Sequence, residues 1–188
     1  MATNYANSVN ATGLNLAIKN ISANLEQLSW LEVIYGRAYD VKTDKNKVIP
    51  KTYLNTGEYI NVLPNDTFTS QCFFRAKGSE VSVPTGSKAG RYVSTRDLSL
   101  IFWVNLENLA YSPKTDYIYT ENLKKEVLEQ LKKCIEVEVD NKKAFTVFDE
   151  DSRKVFDGYD LEDIKKQFLM FPFSGFRIDL TVKYIEEC

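Results

Sequence analysis

The chain has 188 residues, 44% hydrophobic and 27% charged, with a formal net charge of -2. That is enough for one domain with its own core, too balanced for global disorder, and without overall attraction to nucleic acid or anionic lipid. It contains no histidine, which removes the commonest general base and transition-metal ligand and excludes Ser-His-Asp and Cys-His nucleophile activation.

Residues 1–9 are small and polar and read as a flexible arm. A long helix is expected from Asn10 to Tyr35, because Leu14, Ile18, Ile21, Leu25 and Leu28 recur at helical spacing and Gly36 follows as a stop. Trp30, Leu31, Val33 and Ile34 make the end of that helix apolar on more than one side. Residues 37–66 read as irregular or weakly stranded, with a short strand from Glu58 to Leu63. Thr67 to Arg75 is a stronger strand, with Phe68, Ser70, Cys72 and Phe74 on one face and Phe73 on the other.

Residues 76–96, punctuated by Gly78, Pro84, Gly86 and Gly90, read as an extended loop or hairpin. Asp97 to Leu106 is the expected central strand, covered on both faces. A second helix follows from Glu121 to Lys133, with Thr120 as its N-cap and Leu123, Val127 and Leu131 as its buried stripe. Ile135–Val139 and Lys143–Phe148 read as two short strands, 149–160 as an acidic loop, and Asp160 as the cap of a short helix to Phe168. Gly175 to Ile185 alternates as a final strand, with Arg177, Asp179, Thr181 and Lys183 on its polar face. The order predicts a single α+β domain over 1–188. A mixed or antiparallel sheet would be packed by the long N-terminal helix and the second helix, with a long inserted loop.

No constellation meets the requirements of catalysis or cofactor binding. Gly86-Ser87-Lys88 lacks the spacing of a phosphate loop. The acidic residues from Asp149 to Asp163 break the ligand order of a calcium loop, and paired-carboxylate chemistry would need a cleft that sequence does not reveal. Cys72, Cys134 and Cys188 are too few and too far apart for a disulfide framework or zinc site and are expected as free thiols. No apolar run is long enough to span a membrane, and the N-terminal residues lack signal-peptide character, so the chain is expected to fold in a cytosol. Catalytic residues, metals and cofactors are therefore all expected to be absent. Arg75 to Arg96 is locally basic, with Lys77, Lys88 and Arg91 among its cations. Three uses fit it: a solvated surface, contact with the acidic 149–163 segment of a neighbouring subunit, or nonspecific contact with nucleic acid.

A helix, a hairpin and long loop, the strand Leu98-Ser-Leu-Ile-Phe-Trp-Val-Asn-Leu106, a helix, and the closing aromatic-Gly-aromatic strand Phe173 to Tyr184 follow one another. This order resembles the tail-terminator and neck, or head-to-tail connector, ring proteins of tailed bacteriophages. The resemblance implies a tail-terminator-like fold and a virion structural protein, made in the host cytoplasm. It would form a ring homo-oligomer at the neck or tail and join adjacent portal, connector or tail components, with DNA passing through the lumen and no membrane partner. It places the assembly interface at Trp30 and Ile34, at Lys77, Lys88, Arg91 and Arg96, and at Asp149 and Asp151. The readings from other classes are a small non-viral binding module acting by protein-protein interaction, and an enzyme using only carboxylates and lysines. If the basic segment makes inter-subunit or inter-ring contacts, reversing the charges of Lys88 and Arg91 abolishes assembly and leaves the subunit folded; unchanged particle formation would count against that use of the segment.

Overall fold

The computed structural model describes residues 2–7, 10–54, 57–85, 90–109, 118–137, 142–149, 151–162 and 164–187. Its elements are β1 (Thr3–Asn4), α1 (Gly13–Leu25), β2 (Val33–Lys42), β3 (Val48–Tyr53), β4 (Tyr59–Asn61), β5 (Ser70–Pro84), β6 (Arg91–Asn105), α2 (Ile118–Leu131), β7 (Thr146–Phe148), α3 (Ser152–Val155) and β8 (Phe173–Glu187). Among the described residues, the eight strands form one mostly antiparallel sheet in the order β4-β3-β2-β5-β6-β8-β7, with β1 beside β2. The β1–β2 and β2–β5 pairs are parallel. This is an α+β fold.

The frame is the trio β5, β6 and β8. β6 pairs with β8 without interruption from Arg91↔Glu187 to Asn105↔Phe173, and with β5 from Pro84↔Tyr92 to Ser70↔Val104. Alternation then divides the side chains between two cores. Leu98, Leu100, Phe102 and Val104 of β6 join Phe176, Ile178, Leu180 and Val182 of β8 on the face covered by α1 and α2. Ile101 and Trp103 lie on the opposite face with Phe73, under Val155, Phe156, Tyr159, Ile164 and Phe168. A sheet buried on both sides needs apolar residues at successive positions, which is why 100–104 reads as a continuous apolar run.

The N-terminal helix is shorter than its periodicity suggests. It ends at Leu25, and Val33–Ile34–Tyr35 belong to β2. The two-sided apolarity that was expected to end a helix is that of a strand buried on both faces: Ile34 packs in one core, Val33 and Tyr35 in the other. β-branched and aromatic residues favour this outcome. Gly36 is consequently no helix stop. It lies in β2, where the pairing with β5 shifts register between Ile34 and Arg37. A Cβ there would meet the backbone of Ala6 at 3.4 Å, so glycine lets the N-terminal segment approach.

That segment is not a free arm over its described residues. The Thr3 and Tyr5 amides donate to the Glu32 and Ile34 carbonyls, each at 2.8 Å, and the Tyr5 ring stacks on Tyr35 at 5.7 Å. The 76–96 segment is a hairpin where described. Val81, Ser82 and Val83 face Thr95, Ser94 and Val93, and Gly78, with φ 57, takes up the register shift between Lys77 and Val81. The irregular 37–66 stretch contains β3 and β4 and the rest of β2. Thr120 is not an N-cap, because α2 starts at Ile118; its hydroxyl instead meets that of Ser174 at 2.9 Å. Ile135–Val137 is a 3-10 turn rather than a strand, and residues 138–141 lie outside the described residues. Asp160 caps only a turn, accepting from the Glu162 amide, and among the described residues of 160–169 the helical piece is the 3-10 turn Lys166–Leu169.

Phe102 is fully buried and stacks on Phe176 with ring centroids 4.7 Å apart, where β6 and β8 meet under the helices. Phe102→Ala is expected to lower stability by about 3–5 kcal/mol, read as a drop in the urea unfolding midpoint with an unchanged slope.

Candidate functional site

At the Asn105 end of β6, where β8 begins, the surface opens into a cleft of about 700 Å³. Its aromatic wall is built by mutual packing. The Trp103 indole donates to the Phe168 carbonyl at 2.9 Å and stacks on Phe173 at 5.1 Å, and Phe168 sits edge-on to both rings. Met170, 64% exposed, and Phe171, 48% exposed, form the rim on that side. Gly175 forms part of the floor. A Cβ on it would sit 3.2 Å from the Phe102 carbonyl oxygen.

The opposite wall is polar: Thr120 and Glu121 at the start of α2, Asp149, Ser152, and Ser174 of β8. Behind it, the Lys124 ammonium, almost wholly buried, is clamped between the Glu121 and Asp149 carboxylates. Desolvation pulls the Lys124 pKa down, and the hydrogen bonds to Asp149 and Glu121 more than offset it, so the pKa lies above the ordinary lysine value. Lys124 is therefore a fixed cation and not a base or nucleophile at neutral pH. The cleft hydroxyls of Thr120, Ser152 and Ser174 have no histidine to activate them. The described cysteines are equally unreactive: burial pushes the Cys72 thiol well up, and burial with Glu136 nearby pushes that of Cys134 up to about 11. Among the described residues, no group of three or more Cys, Asp or Glu is placed to hold a metal ion.

The residues expected at an assembly interface are mostly engaged inside the chain. Trp30 and Ile34 are both buried in the core under α1 and α2; Trp30 packs against Phe102 and donates to Glu126 at 3.0 Å. Lys77 pairs with Asp179 at 2.9 Å. Arg96 donates to the Gly78 carbonyl at 3.1 Å and faces Glu80 at 3.9 Å. Asp149 holds Lys124, and Asp151 caps α3 by accepting from the Arg153 amide. Arg91 opens β6 and also has an intramolecular partner. Lys88, with the Gly86-Ser87-Lys88 sequence, lies outside the described residues, as does Cys188.

Basic and acidic segments do meet, but within one chain. Arg75 donates to the Asp157 carbonyl and, at 2.7 Å, to Asp40, with its guanidinium 4.4 Å from the Tyr159 ring. Gly158, at φ 84, makes room for it; a Cβ there would lie 2.7 Å from the guanidinium nitrogens. Arg177, on the expected polar face of β8, is buried under the Phe148 ring at 4.1 Å, with Asp179 at 3.1 Å and Asp157 at 3.7 Å. These contacts are ion pairs without aligned hydrogen bonds from Nε or Nη1. On that strand face Arg177 meets the chain's own Phe148 and Asp157, Asp179 meets Lys77, and Thr181 donates to Asp97.

A second surface was not singled out from sequence. Beyond Arg75, β5 continues with β6 and β8 as a three-stranded extension. On its face turned away from the helices, Val81, Val83 and Ile185 are each more than half exposed. The alternation Glu80-Val-Ser-Val83 was its visible signal, outweighed by the neighbouring glycines and Pro84. Met170 and Phe171 carried no periodic signal.

Lys124→Met is expected to destabilise the fold by about 1–3 kcal/mol at neutral pH, because Asp149 loses the cation that compensates it. A raised lysine pKa contributes stability that is complete below the unfolded value, about 10.4, and lost as pH rises through the higher folded value. The gap between variant and wild type should therefore narrow in strongly alkaline urea titrations; a gap independent of pH would show that the pair is not its source.

No protein-family model matches the chain, and comparison with curated proteins finds no match.

Proposed function

We propose that this chain is a non-catalytic structural protein that assembles with copies of itself into a ring at the neck or tail of a tailed bacteriophage virion. It would join adjacent portal, connector or tail components around the DNA channel. The observation that carries the assembly half is the three-stranded extension, whose free face holds Val81, Val83 and Ile185 in water. Exposed aliphatic residues clustered on a rigid sheet mark a surface that another protein covers. The phage half rests on the element order, to which the α+β architecture is compatible. No helix of the described chain is long and apolar enough to cross a membrane.

The cleft with its Met170 and Phe171 rim favours a second reading, a small binding module that captures a segment of another protein. Native mass spectrometry separates the two. A ring subunit gives one closed multimer whose population grows with concentration. A binding module remains monomeric or dimeric at millimolar concentration, and that result would set the ring aside.

A further inference from the structure

The sheet face under the helices is not covered to its edge. Phe74, in the core under α1 and α2, pairs with Arg37, so Arg37 and, two residues on, Tyr39 lie on that same face of β2. Tyr39 pairs with Lys51, Lys51 with Asn61, and Tyr53 with Tyr59, which places all of these residues on it. Among the described residues, that core takes Ile34 from β2 and no side chain from β3 or β4. The result is an open patch in which Tyr39, Tyr53 and Tyr59 are 43%, 41% and 59% exposed.

Cations and rings alternate across it. β2 presents Arg37 and then Tyr39, and antiparallel to it β3 presents Lys51 and then Tyr53. Tyr39 thus faces Lys51 across the strands and has Tyr53 on its diagonal, roughly 7–8 Å away. The Arg37 guanidinium lies 5.0 Å from the centre of the Tyr39 ring, and the Tyr53 and Tyr59 rings are 5.1 Å apart, inclined at 46°. Neither Arg37 nor Lys51 forms an ion pair among the described residues. Of the neighbouring carboxylates, Asp40 projects from the other face, where it binds Arg75, and Glu58 lies just outside β4. The paired positions of the face itself hold cations and no carboxylate.

Rings with cations between them suit a polyanion that offers a flat group at each step. Single-stranded nucleic acid has this chemistry: each base presents a π-face to a tyrosine, and the phosphates between bases meet the cations. A guanidinium resting on a ring keeps donors at its edge for phosphate. A duplex hides its base faces by stacking. Lysine is depleted from the centre of protein interfaces, and here it occupies the middle strand of the patch. We infer that this face of β2, β3 and β4 binds single-stranded nucleic acid, with bases on Tyr39, Tyr53 and Tyr59 and phosphates at Arg37 and Lys51. The binding does not depend on self-assembly.

The test is fluorescence anisotropy of a labelled oligothymidylate titrated with the full-length protein. Binding is expected at low salt and should weaken as salt rises. Tyr53→Ala and Tyr59→Ala should each weaken it by roughly 5- to 100-fold, the range for loss of one stacked base. Tyr59→Phe, which keeps the ring, should stay near wild type, and Lys51→Ala should make the salt dependence shallower. Circular dichroism checks that the variants fold; Tyr59, on the edge strand, carries the test if Tyr53→Ala does not. No binding by wild type, full affinity in the folded alanine variants, or equal competition by an unlabelled duplex would overturn the assignment. So would a wild-type multimer that Tyr59→Ala dissolves while no oligonucleotide binds, which would make the face a protein interface.

Discussion

Everything else in this fold hangs on the pairing of β6 with strands on both sides. β6 is 15 residues long and is matched residue for residue by β8 and, either side of one register shift, by β5. A central strand paired on both edges has satisfied its backbone groups, so its side chains are free to serve two cores at once. The helices pack on one set and the 155–169 segment on the other. Neither layer would have a surface to pack on if the ladder failed.

The same ladder explains why so many charged residues are unavailable to a partner. Arg75, Lys77, Arg177 and Asp179 project from β5 and β8 onto the face that the 148–160 segment crosses. Two guanidinium groups lie against aromatic rings there, and the carboxylate of Asp157 and its carbonyl close the cluster. Such a cluster trades hydration for contacts with fixed geometry. It fastens an otherwise irregular segment to the sheet. Surface chemistry is left to the ends of the strands, where apolar residues remain in water.

The sequence was readable where one periodicity dominated. Residues 98–104 form an apolar strand whose two faces can be told apart, 176–184 alternate, and the stripe Leu123, Val127, Leu131 marks α2; in all three the core-facing side chains are the ones that the pattern indicates. It misled where two patterns overlapped. Leu25 and Leu28 continue a helical stripe into residues that pair as β2, and only tertiary pairing with β5 decides between them. The cleft was out of reach for another reason. Its lining comes from 103, 120–121, 149, 152, 155–156, 168–171 and 173–175, and no local pattern reports that these segments converge. The setting of Lys124 was out of reach for the same reason, because the ion pair that encloses it is made with Asp149, 25 residues away.

The chain holds two tryptophans, and the sheet separates them. Trp30 lies in the core under α1 and α2, Trp103 in the core under the 155–169 segment. Each indole donates to a different acceptor, a glutamate in one case and a backbone carbonyl in the other. Intrinsic fluorescence in this protein is thus a two-channel signal, one emitter for each side of the sheet. Replacing either tryptophan by phenylalanine would leave a single emitter that follows one layer alone. The order in which the layers loosen would become visible without an added label.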